Sequence, residues 1–215
     1  MSPDSILYTI AVWALPILLA ITLHEAAHGY VAHRLGDNTA HRLGRISINP
    51  FRHIDPIGTV VLPLAMAIFT GFVFGWAKPV PVDMRQFKQP MLDMGLVAAA
   101  GPVSNFLMAC GWALFMQLAQ QIFTGHTHLF LYRMAQAGIT INLILMVLNL
   151  LPIPPLDGGR VVAGVLPPRL AATYLRIEPY GLWIVIALLV TGLLGDILMP
   201  IVKHFGQIIR LIFSF

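Results

Sequence analysis

Long apolar runs separated by short polar segments form the dominant pattern of this chain. Residues 6–23 carry no charge, residues 94–132 contain no Asp, Glu, Lys or Arg, and residues 134–151 are again apolar. Runs of this length predict membrane helices, which we expect at 6–33, 92–121 and 134–151. Further apolar runs lie at 180–194 and 197–215. The run 57–77 is interrupted by Pro63, Gly71 and Gly75, so it is expected either to cross or to be re-entrant.

The polar segments between these runs predict two short β-like elements and a loop. Residues 45–49 alternate between polar and apolar, which indicates a short strand. The run Val80-Pro81-Val82 indicates an extended or edge segment, because proline cannot donate to a central ladder. A polar loop is expected at 124–128.

Composition turns this pattern into a fold class. The chain is 58% hydrophobic and 10% charged, and its mean hydropathy is +0.80. We therefore predict an all-α polytopic membrane protein with about five to six transmembrane or re-entrant helices and short β-like loop segments. Residues 1–215 are expected to form one domain, with a core at 5–160 and C-terminal membrane helices at 180–215.

The net charge of +4 does not predict a nucleic-acid partner. The basic residues lie in short loops beside apolar runs, where they act as topology signals. The single cysteine, Cys110, excludes an intramolecular disulfide.

Candidate chemistry begins with the pentapeptide His24-Glu25-Ala26-Ala27-His28, at the end of the first apolar run. On a helix the two histidines lie one turn apart on one face, so their ring nitrogens can converge on one metal ion. Glu25 is then placed to reach a water at that metal. The pattern predicts one Zn²⁺ per chain and a general base. The alternative is a pair of helical histidines bonded to backbone or water, but ionisable groups beside a hydrocarbon-length segment are typical of function.

Asp157 is the candidate third ligand, because it is the only carboxylate between Met94 and Glu178 and follows a proline-broken helix. Ligands of one metal must share a membrane side, so an even number of crossings must separate Asp157 from His28. Three apolar stretches lie between them, and 57–77 is the one expected not to cross. The alternative for Asp157 is to start a turn or to cap the next helix.

Basic residues give an independent prediction of topology. With 57–77 returning to its starting side, all the basic residues between 34 and 88 and between 160 and 176 share one face, whereas residues 123–132 have no Lys or Arg. The positive-inside rule then places the candidate site near the cytoplasmic face of a cell membrane.

Three motifs resemble those of the site-2 protease family of intramembrane zinc metalloproteases: 24–28, 101–105 (GPVSN) and 149–158 (NLLPIPPLDG). The resemblance covers about residues 23–159, and the chain looks like a minimal member without a regulatory domain. It implies that His24, His28 and Asp157 bind zinc and that Glu25 is the catalytic base. It also implies a catalytic role for Asn149 near the scissile carbonyl and a weaker one for Asn105.

The activity implied by this resemblance is peptide hydrolysis in the membrane plane. The partners would be a transmembrane protein substrate and the lipid bilayer; the oligomeric state is left open. Asn149 and Asn105 have an alternative role in interhelical hydrogen bonding. Asn142 is interpreted as structural, Gly101 as a helix-packing position, and His53 as a solvated loop residue.

Two other functions compete with proteolysis. The first is a membrane metal-ion transporter, in which the histidines and the aspartate form a transit site. The second is a non-catalytic membrane protein that binds helices. The transporter predicts that Glu25 is dispensable, whereas a protease requires it, and the helix-binding protein predicts bound substrate without products.

Overall fold

A computed structural model describes residues 5–61 and 78–214 of the protein. Helix α1 (Ile6–Arg34) is capped by Ser5, whose hydroxyl accepts a hydrogen bond from the Tyr8 N–H at 3.2 Å. Its apolar sequence continues without a break past Pro16 into the pentapeptide 24–28. A single turn, α2 (Thr39–Arg42), follows in the first polar segment, residues 34–55; the second polar segment is residues 78–90.

Helices α3 (Pro90–Ile122) and α4 (Gly125–Asn149) form an antiparallel pair. Only Phe123 and Thr124 separate them, because Gly125 adopts a φ of +65° and the chain turns there directly into α4. The polar loop expected at 124–128 is therefore wrong. His126 and His128 lie in the first turns of α4, where His126 is exposed and His128 is half-buried.

The last part of the chain contains shorter helices: α5 (Asp157–Val165), α6 (Pro168–Leu175), α7 (Glu178–Val190) and α8 (Leu193–Phe213). Prolines at 152, 154 and 155 prevent α4 from continuing into α5, and those at 167 and 168 separate α5 from α6.

Helices α1, α3 and α4 are each long and apolar enough to cross a membrane, and α6 with α7, bent by 57°, could form a fourth span. Their number and apolarity are those of an integral membrane protein. The expected count of five to six is not confirmed, because α8 carries Asp196, Lys203 and Arg210 and residues 62–77 lie outside the described part of the chain.

The β-like segments are not confirmed either. Within the described residues, 45–49 and 80–82 carry no strand. The polar segments are built from turns instead, at Pro50–Arg52, Pro56–Val61 and Met84–Gln86. Most of the expected re-entrant stretch 57–77 lies outside the described residues.

The ends of the helices define two ends of the bundle. The C-terminal part of α1 faces the N-terminal part of α3, since the His28 ring bonds the Val97 carbonyl at 2.7 Å. The Lys78 N–H donates to the His53 carbonyl at 2.9 Å, so the start of the second polar segment (78–90) lies beside the end of the first (34–55). We call this the site end. The opposite, distal end holds the start of α1, the end of α3 and the start of α4.

The main core lies between α3, α4, α7 and α8. Its buried members include Met116 on α3, Leu143 on α4, Val185 on α7 and Ile209 on α8. Large apolar side chains remain exposed on the outside of the bundle, as at Leu107, which is 63% exposed. An exposed apolar surface of this kind suits lipid rather than water.

Candidate metal centre

Three side chains from distant parts of the sequence converge at the site end. The Nε2 atoms of His24 and His28, one turn apart on α1, are 3.0 Å from each other. Oδ2 of Asp157, the first residue of α5, is 3.2 Å from the first and 3.4 Å from the second. Both histidines are buried, and 14% of the aspartate side chain is exposed. The structure thus brings together the three residues predicted as ligands.

The opposite nitrogen of each ring is engaged from behind by α3. Nδ1 of His24 is 2.5 Å from Oδ1 of Asn105, and Nδ1 of His28 is 2.7 Å from the Val97 carbonyl oxygen. Both partners are acceptors, so each Nδ1 carries the proton and donates it. Each Nε2 is left with a free lone pair that points towards Asp157.

Asn105 is held in turn by a second layer of hydrogen bonds. Its amide nitrogen donates to Oδ1 of Asn142 at 2.9 Å and to the Ala20 carbonyl at 3.3 Å. Asn142 then donates to the Gly138 carbonyl at 2.8 Å. Both asparagines are fully buried. This arrangement fixes which amide atom of Asn105 faces His24, and it places Asn105 behind the ligand rather than in the open part of the site.

Asp157 reaches the histidines because α5 packs very closely on the preceding loop. A Cβ at Gly158 would stand 2.3 Å from the Leu150 carbonyl oxygen, and one at Gly159 would stand 2.4 Å from the Pro154 nitrogen. Only glycine permits this approach. Among the described residues no backbone N–H bonds the Asp157 carboxylate, so the geometry does not support the alternative of a helix cap.

The Asp157 carboxylate is ionised. Burial opposes its ionisation, but protonation of the His24 and His28 rings at Nε2 would lower its pKa from 3.8 to about 2, and a metal cation takes the place of those protons. At neutral pH the cluster therefore combines one carboxylate with two imidazole nitrogens.

Glu25 lies beside this cluster and faces the second polar segment. Its Oε2 accepts a hydrogen bond from the backbone N–H of Val80 at 3.0 Å. Val80 belongs to a stretch, residues 78–83, that has no regular secondary structure, and the Arg45 guanidinium binds the carbonyls of Lys78 and Pro79 there at 2.8 and 3.3 Å. The candidate base is therefore oriented by a backbone group from a polar segment, a contact with no sequence signature.

Asn149, predicted as a catalytic residue, and His53, predicted as a solvated loop residue, both lie outside the cluster. The amide of Asn149 donates to the Leu145 carbonyl one turn back on α4, at 3.0 Å. The interpretation of His53 as a solvated residue is wrong: it is 2% exposed, and its Nε2 lies 2.9 Å from the Ser47 carbonyl oxygen. Its ring fastens the first polar segment, a role that loop composition does not reveal.

The cluster fits a zinc ion on two observations. The buried Oδ2 of Asp157 has no hydrogen-bond partner, although such atoms are almost always satisfied. The space beside the rings is kept open by Gly101, where a Cβ would stand 2.5 Å from Nε2 of His28. Tetrahedral ligands at about 2.0 Å from zinc stand about 3.3 Å apart, close to the separations here.

Two buried histidines and an aspartate beside a glutamate, within a bundle of membrane-length helices, define a membrane-embedded metallohydrolase. Comparison with known proteins gives the family. The sequence profile of peptidase family M50 matches residues 12–192. The chain belongs to this family, the site-2 protease family, and it is a zinc metalloprotease.

Its relatives carry names that agree with this class. The chain is 38% identical over 206 residues to "Putative zinc metalloprotease YwhC" of Bacillus subtilis, covering 92% of this chain and 89% of that protein. It is 28% identical over 188 residues to "Putative zinc metalloprotease Rip2" of Mycolicibacterium smegmatis, covering 87% and 70%. No solved structure matches the chain significantly.

Proposed function

We propose that this zinc metalloprotease is an intramembrane endopeptidase that hydrolyses peptide bonds in or near the transmembrane segments of membrane proteins. His24, His28 and Asp157 hold the zinc ion, and Glu25 is the general base. The observation that carries the proposal is the position of the cluster, buried where α1 and α3 pack together, both of membrane-spanning length. A substrate that reaches this position comes from within the membrane.

Zinc, when bound, polarises a scissile carbonyl and lowers the pKa of a water molecule to about 7. The residues of the chain perform the proton transfers. Glu25 accepts a proton from the attacking water and delivers it to the leaving amine. The Val80 N–H supports this role, because it holds the carboxylate in one orientation at 3.0 Å.

The stretch around Val80 is the part of the site suited to a substrate. A transmembrane helix hides its scissile bonds in its own hydrogen bonds, so the substrate has to unwind before it is cut. Arg45 fixes the start of this stretch by binding the Lys78 and Pro79 carbonyls, and the backbone that follows them lies beside Glu25, where such an unwound strand can pair with it. Asn149, half-buried at the end of α4, would turn its amide from the Leu145 carbonyl to the oxyanion. Asn105 acts by positioning His24.

We further propose that the site end faces the cytoplasm and that residues 1–215 form one domain. Arg34, Arg45, Lys78 and Arg85 belong to the two polar segments of the site end, in accord with the positive-inside rule. The packing of α8 against α3 and α4 in the main core supports a single unit.

The test compares two glutamates, the only ones in the chain. Glu25→Gln is expected to abolish cleavage of a single-span substrate in proteoliposomes while the zinc content stays at one per chain. Glu178→Gln is the control: Glu178 pairs with Arg160 at 3.5 Å on the surface, so its loss should leave cleavage unchanged. Cleavage by the Glu25→Gln variant would contradict the mechanism. Zinc flux without cleavage would identify a transporter, and bound substrate without products would identify a helix-binding protein.

A further inference from the structure

A cavity of about 710 Å³ lies outside the metal centre, between α1, α4 and α8. It is lined by Tyr8 and Trp13 of α1, Arg133 of α4, and Lys203 and Arg210 of α8. Tyr8 precedes His24 by about 24 Å along the axis of α1. The cavity therefore lies towards the distal end of the bundle and is separate from the catalytic machinery.

Three cations line this cavity and no carboxylate does. Among the described residues Arg133, Lys203 and Arg210 form no ion pair, and the Arg133 guanidinium only lies over the Tyr8 ring, 5.7 Å from its centre. All three are exposed, so their charges face the surroundings of the bundle, where anionic lipid head groups attract basic residues. One of them belongs to α4 and two belong to α8, so they face one space from two helices and can hold an anion between them.

Helix α8 is built to present its cations to this space. Lys203, Gln207 and Arg210 recur at spacings of four and three, so they share one face, and all three line the cavity. Val202 and Ile209 occupy the neighbouring face and are buried in the main core. Because Val202 and Ile209 pack into the core, α8 is held with Lys203 and Arg210 towards the cavity.

The remaining lining residues indicate the kind of anion. Val12, Ile139 and Met199 give the cavity an apolar wall, whereas the amide of Gln207 and the hydroxyl of Tyr8 add hydrogen-bond donors beside the cations. Tyrosine and tryptophan at the end of a membrane helix mark the depth of lipid head groups. A phosphate with attached acyl chains satisfies both the polar and the apolar parts of this surface.

We propose that this cavity binds an anionic phospholipid, with its phosphate held by Arg133, Lys203 and Arg210 and its acyl chains along the apolar wall. The bound lipid links α8 to α1 and α4 at the distal end. It therefore stabilises the bundle without contacting the metal centre.

The test measures lipid binding to the zinc-loaded, full-length protein in a neutral detergent, by native mass spectrometry and thermal melting. Phosphatidylglycerol is expected to bind and to raise the melting temperature. Phosphatidylcholine and inorganic phosphate are expected to do neither. The double variant Lys203→Gln/Arg210→Gln should bind phosphatidylglycerol at least about tenfold more weakly, since each cation contributes to holding the head group. Arg42→Gln/Arg169→Gln, which removes the same charge from exposed positions outside the cavity, should bind as the unaltered protein does.

Three outcomes would overturn the proposal. Equal weakening by the two double variants would show general attraction to charge, and equal stabilisation by inorganic phosphate would show a phosphate site without a lipid. Equal binding of phosphatidylcholine would show a site that ignores head-group charge. If the cavity variant loses its zinc, which would indicate misfolding, the single substitution Arg133→Gln replaces it, with the same expected loss of binding.

Discussion

Oδ1 of Asn105 lies 2.5 Å from Nδ1 of His24, which couples the middle of α3 to the metal centre on α1. Because Asn105 is fully buried and also bonded to Asn142, its orientation does not depend on solvent. The contact keeps the proton of His24 on Nδ1 and the lone pair of Nε2 free. A residue that controls a ligand in this way should affect metal affinity more than turnover of the loaded enzyme.

We therefore expect Asn105→Ala to weaken zinc binding by about 10- to 100-fold, as measured by competition with a chelator. Cleavage should recover when zinc is added in excess. Asn149→Ala is the matched control at the second asparagine predicted to be catalytic: zinc affinity should stay unchanged while the cleavage rate of the loaded enzyme falls. The opposite result, with zinc lost from Asn149→Ala and retained by Asn105→Ala, would contradict these assignments.

A second prediction concerns the space that Gly101 keeps open beside the ligands. A Cβ there would stand 2.5 Å from Cε1 of His24 and from Nε2 of His28, so Gly101→Ala should displace both rings and abolish zinc binding. Gly111→Ala lies on the same helix with nothing within 4 Å of the added carbon, and it should keep full zinc content and activity. Circular dichroism of both variants would show that α3 is still formed. Full zinc occupancy in Gly101→Ala would refute the geometry.

The metal centre shows what a sequence can and cannot reveal. His24 and His28 were predicted as a pair because helical spacing alone places them on one face. Asp157 was predicted from its isolation among apolar residues and from the need to share a membrane side. The supports were not predictable: the Val97 carbonyl and the Val80 N–H are backbone groups, and no residue type signals their use.

The fold, too, could be predicted from the sequence in some parts and not in others. The bounds of α3 and the end of α4 were predicted closely, because long charge-free runs and prolines mark them. The polar segments were predicted less well, since alternation at 45–49 indicates a strand but no neighbouring strand pairs with it in the described residues. Asn142 was interpreted as structural. Its link to His24 through Asn105 depends on interhelical packing that periodicity cannot specify.

A third prediction concerns the support of Asp157 by α7. A Cβ at Gly181 would stand 1.6 Å from the Pro154 carbonyl oxygen, so α7 rests directly on the loop that leads into α5. Gly181→Ala should push this helix away and lower the free energy of unfolding by about 1–3 kcal/mol, with a lower zinc affinity. Gly195→Ala, where the added carbon meets nothing within 4 Å, is the control in α8. Equal melting temperatures for the two variants would show that the contact is not needed.

The last prediction concerns Asp37, which fastens the second polar segment to the end of α1. Its fully buried carboxylate accepts hydrogen bonds from the Thr39 N–H at 2.8 Å and from the Asp83 N–H at 2.7 Å. Asp37→Ala removes both and releases the stretch that leads from Val80, whose N–H orients Glu25. We expect cleavage to fall about tenfold or more, since a hydrogen bond to a charged group contributes about 1.5–3 kcal/mol.

Zinc affinity separates this effect from damage to the metal centre, because Asp37 contacts none of the three ligands and zinc content should remain at one per chain. Asp83→Ala is the matched control. Its carboxylate pairs with the exposed Arg85 at 2.8 Å, whereas its backbone N–H, which bonds Asp37, is untouched by the substitution. Cleavage by Asp83→Ala should therefore stay near that of the unaltered protein. If both aspartate variants cleave equally well, the anchoring of this segment has no part in orienting the base.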